Sequence, residues 1–261
     1  MDLGTPDVLF ERRGAVAWVT FNRPQARNAM TWAMYDALVR VYDAVEPDPE
    51  VRVLVLAGAG DRAFVAGTDI SQFQSFREPQ DALDYESRMD AIGLRLEAFA
   101  KPTIAAIRGY ATGGGASMAL ACDLRLGTPD AKIGIPIART LGNCLPMSVY
   151  ARLIDLVGPA RTKELIFRAK MIVAEDAKAI GLLNEIVEPE RLAERTQEVA
   201  EEIAGNAPLT IRATKEAVRR ILAHRRPPKS EDLILQCYMS EDFQEGVRAF
   251  LEKRKPEWKG K

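Results

Sequence analysis

The pattern that most restricts the fold of this chain is an alternation of short, dense apolar runs with helical segments, punctuated by glycine. Val51-Arg52-Val53-Leu54-Val55-Leu56-Ala57 is rich in β-branched residues and is closed by Gly58-Ala59-Gly60-Asp61, which reads as a buried strand ending in a turn. Thr103-Ile104-Ala105-Ala106-Ile107 is a second such run, and Asp123-Leu124-Arg125-Leu126 a third. Near the start, Phe10 to Gly14 followed by Ala15 to Phe21 reads as a hairpin leading into a buried strand. Between these runs the period changes. Thr31 can cap a helix to about Val45, with Met34, Leu38, Val41 and Val45 at helical spacing. Leu83 to Phe99 reads as a long helix that Lys101-Pro102 stops. Strands alternating with helices specify an α/β domain with mainly parallel pairing. From about Pro146 the pattern is almost wholly helical, and from about Arg191 it consists of amphipathic helices. The expected organisation is a core over residues 1–190 and a helical region over 191–261.

Composition removes several function classes. Lys plus Arg is 36 and Asp plus Glu is 37, a balance that argues against a nucleic-acid-coating surface or a polybasic membrane anchor. Cys122, Cys144 and Cys237 are far apart and form no Cys-x-x-Cys pair, so no metal site or disulfide framework is expected, and a reducing cytoplasm fits best. No basic start followed by an apolar run opens the chain, and its apolar stretches are too short to cross a bilayer. The single histidine, His224, lies in the basic, Pro-rich segment Ala223-His224-Arg225-Arg226-Pro227-Pro228, which reads as a solvated loop. A multi-histidine metal site is impossible, and any Ser-His or Cys-His nucleophile would need that one residue.

Two glycine-rich turns can carry ligand chemistry. Gly58-Ala59-Gly60-Asp61-Arg62-Ala63 formally matches the dinucleotide-binding G-x-G-x-x-A, which needs a helix to open there. The β-branched residue and second glycine in Ala63-Phe64-Val65-Ala66-Gly67-Thr68-Asp69-Ile70 disfavour that helix. The second turn, Gly113-Gly114-Gly115, follows a buried strand and opens a small-residue helix over about Ala116 to Cys122. Unpaired N–H groups at such a helix start favour negative charge, and glycine lets a ligand approach the backbone. Close packing of that helix on the sheet accounts for the glycines equally well.

Taken together, these segments carry a resemblance. Ala63 to Ile70, followed by Lys101 to Gly115 and by Ala119-Leu120-Ala121-Cys122-Asp123, resembles the crotonase (enoyl-CoA hydratase/isomerase) superfamily. The similarity extends to Asn22-Arg23-Pro24 with Asn28-Ala29, to Ala174-Glu175-Asp176-Ala177 with Gly181-Leu182, and to Ser240-Glu241-Asp242 with Phe250 to Arg254. It implies an α/β spiral of strand–strand–helix repeats with a helical C-terminal trimerisation region, giving a homotrimer or a dimer of trimers. It implies an acyl-CoA substrate, with coenzyme A present as part of that substrate and no tightly bound cofactor. It also implies that the N–H groups of Thr68 and Gly114 form an oxyanion hole for the thioester carbonyl, whose charge grows as an enolate forms. The coenzyme A portion is expected along Arg27, Ala29, Ala66, Thr68, Asp69, Ile70 and Gly114, with Lys253, Arg23 and Arg254 as further phosphate candidates.

The pattern breaks at the proton-handling positions. Hydratases of this family use two glutamates, one two residues after the triple glycine and one in a Gly-x-Pro-Glu loop. Ser117 and Ile137 stand in those places, so the two-glutamate route is disfavoured. Arg139-Thr140-Leu141-Gly142-Asn143-Cys144 is similar to the loop that carries the aspartate nucleophile of chlorobenzoyl-CoA dehalogenase, with Cys144 in that place and Arg139 able to lower its pKa. An unreactive, half-buried cysteine is the plainer reading. Asp84, Glu86 and Asp90 border the acyl pocket on the helix over 83–99, and the sequence does not say which points inward. Three functions compete: an enolate-forming lyase or isomerase on acyl-CoA, a non-catalytic acyl-CoA binder or scaffold, and a thioesterase.

Overall fold

The computed structural model describes residues 1–223 and 231–260, so His224 and the basic segment after it lie outside the described residues. Strands β1 (Val8–Arg13) and β2 (Val16–Phe21) form the expected hairpin, and helix α1 (Trp32–Val45) follows, capped by Thr31, whose side chain accepts from Met34 N. The chain then repeats one unit. Strand β3 (Val53–Gly58) leads to β4 (Ala63–Val65) and helix α2 (Pro79–Glu97). Strand β5 (Thr103–Ile107) leads to β6 (Tyr110–Thr112) and helix α3 (Gly114–Ala121). Strand β7 (Leu124–Gly127) leads to β8 (Lys132–Gly134), the short α4 (Ile137–Thr140) and α5 (Met147–Phe167). Then come β9 (Ile172–Val173), α6 (Ala174–Ala179) and β10 (Glu185–Ile186), before α7 (Leu192–Ala204), α8 (Pro208–Ala223), α9 (Glu231–Tyr238) and α10 (Glu241–Leu251).

The first strand of each unit joins one sheet and the second joins another. The larger sheet runs β1-β2-β3-β5-β7-β10 and the smaller β4-β6-β8-β9. Each turn of the chain therefore advances one place along both sheets, which is the strand–strand–helix spiral. Pairing is parallel except at β1 with β2 and β8 with β9. The dense apolar strands follow from burial on both faces. Leu54 and Leu56 of β3 enter the main core with α1, whereas Val53 and Val55 face the other way with Val16, Trp18, Ile104 and Ala106.

That second face is covered by α7 through Leu192 and Ala200, and Trp18 Nε1 donates to Gln197 Oε1 at 2.7 Å. Helix α7 is thus a layer of the core, and the helices that leave it begin at α8, past the boundary expected at residue 191. Helices α9 and α10 fold back on α2 and on the 3-10 turn Ile70–Ser75, burying Phe73, Ile234, Tyr238 and Phe243 in a third cluster. Helix α2 starts a turn earlier than its apolar spacing indicates, because Pro79 occupies its first turn and Glu78 with Asp81 forms a capping box. Among the described residues no helix is long and apolar enough to cross a membrane.

Candidate functional site

The Arg23 to Ala29 turn and the segment after β4 are stitched together by main-chain bonds. Ala66 N donates to Arg27 O at 3.0 Å, Met30 N to Gly67 O at 2.8 Å and Asp69 N to Met30 O at 2.9 Å. Because Gly67 O and Asp69 N both point toward Met30, the intervening Thr68 N–H points away from it, as alternation in a parallel bridge requires. Arg23 reinforces the junction, its Nη1 donating to Asp69 Oδ2 at 2.8 Å and to Ala29 O at 3.2 Å. Partial burial raises the Asp69 carboxyl, but hydrogen bonds from Ser71 and Arg23 outweigh it and hold the group below the usual carboxylate range. Arg23 and Arg254 are therefore engaged within the chain, the latter by Glu245 and Glu252.

Helix α3 begins at Gly114, two residues earlier than the sequence indicates, so the Gly114 N–H is a first-turn donor with no intrahelical acceptor. Both readings of the triple glycine hold, for different residues. Gly113 has φ of +55°, a left-handed value that glycine adopts freely, and a Cβ at Gly115 would lie 2.1 Å from Val65 O. A Cβ at Gly114 would lie 3.7 Å from Thr68 N, and one at Gly67 would lie 3.9 Å from Gly114 N. The two amide nitrogens therefore lie close together. Thr68 is further fixed through its hydroxyl, which bonds Tyr35 Oη at 2.8 Å and Tyr85 Oη at 3.0 Å. Burial pushes the Tyr35 phenol up to about 12 and raises Tyr85 as well, so both remain neutral.

Thr68 and Gly114 both line a cavity of about 570 Å³. Its wall includes Arg27, Ala29, Ala66, Thr68, Asp69, Ile70, Gly114, Ser117, Ile137, Arg139 and Cys144, but not Lys253. Much of the remainder is apolar: Phe73, Met89, Ile92, Leu96, Met118, Leu145 and Val149. At the first family glutamate position, Ser117 Oγ donates to Gly113 O at 3.2 Å; at the second, Ile137 contributes only hydrocarbon. Strand β3 runs into β4 with no helix between, which removes the dinucleotide reading of Gly58 to Ala63.

Cys144 faces the cavity as a thiol, not as a nucleophilic thiolate. Its Sγ donates to Leu233 O at 3.4 Å, and the neighbouring Cys237, with burial, drives its pKa well upward. Thr140 Oγ1 donates to Pro136 O at 3.0 Å, which is the hydrogen-bonded turn, and Tyr150 is not on the cavity wall.

Helix α2 supplies what the spacing of acids could not resolve. Asp84 is exposed and bonded by Gln80, whereas Glu86 and Asp90 both line the cavity. Glu86 is only 4% exposed, accepts a hydrogen bond from Tyr238 Oη, and has its pKa raised to about 7. Burial is the main cause; the Tyr238 bond opposes it, and the nearby Asp90 charge adds to it. Asp90 itself accepts from Ser148 Oγ. Glu86 sits on a long amphipathic helix among several acids, and only the return of α9 over α2 buries it. The sequence carries no signal for that.

Residues 11–261 match the enoyl-CoA hydratase/isomerase family. The chain belongs to that family. The short-chain-enoyl-CoA hydratase of Clostridium acetobutylicum is 36% identical to it, over 96% of this chain and 97% of the relative. The (E)-benzylidenesuccinyl-CoA hydratase of Thauera aromatica is 35% identical, over 97% and 99% respectively. Among solved structures, a methylmalonyl-CoA decarboxylase in complex with 2-nitronate-propionyl-CoA superimposes with a TM-score of 0.88 at 32% identity, covering 97% of this chain and 98% of that one. Family membership makes this an acyl-CoA-binding protein of the crotonase fold.

Proposed function

We propose that the chain is an enzyme that forms and discharges a thioester enolate, with the Thr68 and Gly114 N–H groups as its oxyanion hole. The observation that carries the reading is that the two amides lie close together at the wall of a largely apolar cavity. A thioester carbonyl seated there gains charge as the enolate forms, and preorganised donors stabilise that charge more than the neutral ground state. The coenzyme A portion lies along Arg27, Ala29 and Ala66 to Ile70, with Arg27 and Lys253 available to its phosphates. Two-glutamate hydration is disfavoured, because Ser117 and Ile137 supply no carboxylate at the places where the resemblance expects them. The solved decarboxylase complex supports the reading, since a nitronate is a planar anion at the carbon next to a thioester.

The test is deuterium uptake. Wild-type protein mixed with butyryl-CoA or phenylacetyl-CoA in heavy water should exchange the α-protons of the thioester. No exchange with either would contradict the reading and favour a binding scaffold; release of free coenzyme A thiol instead would favour a thioesterase. Helix α8 buries no side chain within the chain and exposes Leu209, Val218 and Ile221, which supports assembly of copies as a homotrimer or dimer of trimers. A monomeric mass by light scattering would contradict that assembly.

A further inference from the structure

Glu86 is a buried carboxyl that no cation among the described residues neutralises. Among the described residues its only partner is Tyr238, whose hydroxyl donates to Oε1; Asn143 Nδ2 in turn donates to Tyr238 Oη at 3.1 Å. The two donors are ordered in one direction, toward Oε1, and together hold the carboxyl in place. No described residue bonds Oε2. A buried acid kept for architecture alone is ordinarily paired with a cation or saturated by N–H donors. Among the described residues this one has a single phenol, and it faces the cavity that Thr68 and Gly114 also line.

We propose that Glu86 is the acid–base residue of this site, taking a proton from the α-carbon of the bound thioester and returning it to the α- or γ-carbon. The assignment rests on the enolate reading above. In the first step the α C–H bond breaks, its electron pair enters the enolate held by Thr68 and Gly114, and the proton forms O–H on Glu86 Oε2. In the second step that O–H bond breaks and a C–H bond forms. Return to the α-carbon is exchange; return to the γ-carbon of a β,γ-unsaturated chain moves the double bond to the α,β position. No oxidant, metal or second substrate is required. The substrate class is an acyl-CoA with an enolisable α-carbon, and Tyr35, Phe73 and Tyr85 around the cavity suit an aryl or unsaturated acyl group.

Tyr238 and Asn143 are positioning residues. The titratable groups that face Glu86 are Tyr35 from α1, Tyr85 and Asp90 from α2, Cys144, Tyr150 from α5 and Tyr238 from α9. The phenols and the Cys144 thiol are all pushed upward and stay neutral, and burial, with the nearby Asp90 charge, sets the Glu86 carboxyl in the neutral range. A group with that range can act in both directions near neutral pH.

The experiment follows α-deuterium uptake by phenylacetyl-CoA across pH 5 to 9. Wild-type exchange should climb with pH and level off above an inflection near 7. Glu86→Gln should lose roughly 10²–10⁴-fold in exchange while binding phenylacetyl-CoA about as tightly as wild type. Glu86→Asp should keep part of the rate. Tyr238→Phe, which removes the donor to the carboxylate, should move the inflection upward, a shift that a merely structural tyrosine would not produce. Wild-type exchange that persists in a folded, thioester-binding Glu86→Gln variant overturns the assignment while leaving the enolate reading intact. Loss of exchange in Asp90→Asn but not in Glu86→Gln overturns it in favour of Asp90. No exchange by wild type overturns the enolate reading and this assignment together.

Discussion

Replacing Glu86 by glutamine should stabilise the protein, and more so at higher pH. The Glu86 carboxyl has a pKa of about 7 in the folded chain, against 4.5 for the ordinary group. Between those values the native state binds more protons than the unfolded state, so stability falls as pH rises. The loss is complete above pH 7, where the buried group must ionise to remain at equilibrium. At 1.36 kcal/mol per pKa unit the full difference is about 3 kcal/mol, good to within about a pKa unit. Glutamine keeps a carbonyl oxygen for Tyr238 and carries no charge, so it removes this term. The advantage of Glu86→Gln over wild type should therefore be about 3 kcal/mol at pH 8 and under about 1 kcal/mol at pH 5. Urea unfolding of both proteins at the two pH values measures it through the midpoint, provided the slopes agree. A difference between the proteins that does not change with pH would refute the reasoning. The same variant is expected to lose activity, the usual relation where a destabilised group serves function.

Gly115→Ala should destabilise the fold and depress exchange together, because its Cβ would meet Val65 O at 2.1 Å and push the start of α3 out of place. Displacing the Gly114 N–H is expected to cost roughly 10²–10³-fold in rate, measured as deuterium uptake at saturating thioester; a folded variant with full activity would contradict the role of that N–H. Iodoacetamide near neutral pH should label Cys237 before Cys144 or Cys122, because the neighbouring Cys144 lowers the half-buried Cys237 thiol while burial pushes Cys122 up to about 12. Peptide mass spectrometry reads the order, and Cys144 reacting first would contradict it.

The sequence made much of this fold legible because the strands are buried on both faces. Their unbroken apolar runs and the capping Thr31 stand out without any structure, as does the glycine turn before α3. Element edges were less legible. Helix α2 is set by a capping box rather than by apolar spacing, and α3 begins at Gly114 because glycine can turn the chain there. The proposed pairing of the Thr68 and Gly114 N–H groups was legible only through resemblance, since a backbone N–H leaves no residue signature. Tyr35, Tyr85 and Tyr238 were not legible at all. Tyr35 and Tyr85 meet Thr68 where α1 and α2 pack beside it, and Tyr238 meets Glu86 only after α9 folds back over α2. The same return of α9 separates Glu86 from Asp84, two acids that look alike in sequence.

The central claim is that the site binds the enolate better than the thioester, and one affinity ratio tests it most directly. Dissociation constants should be measured by calorimetry, at one pH and salt concentration, for propionyl-CoA and for 2-nitronate-propionyl-CoA. The nitronate places a planar negative charge at the carbon beside the carbonyl held by Thr68 and Gly114. It should bind at least about 10²-fold more tightly, the lower end of the range for transition-state analogues. Equal affinities would show that the two N–H groups do not favour developing charge, and would contradict the account.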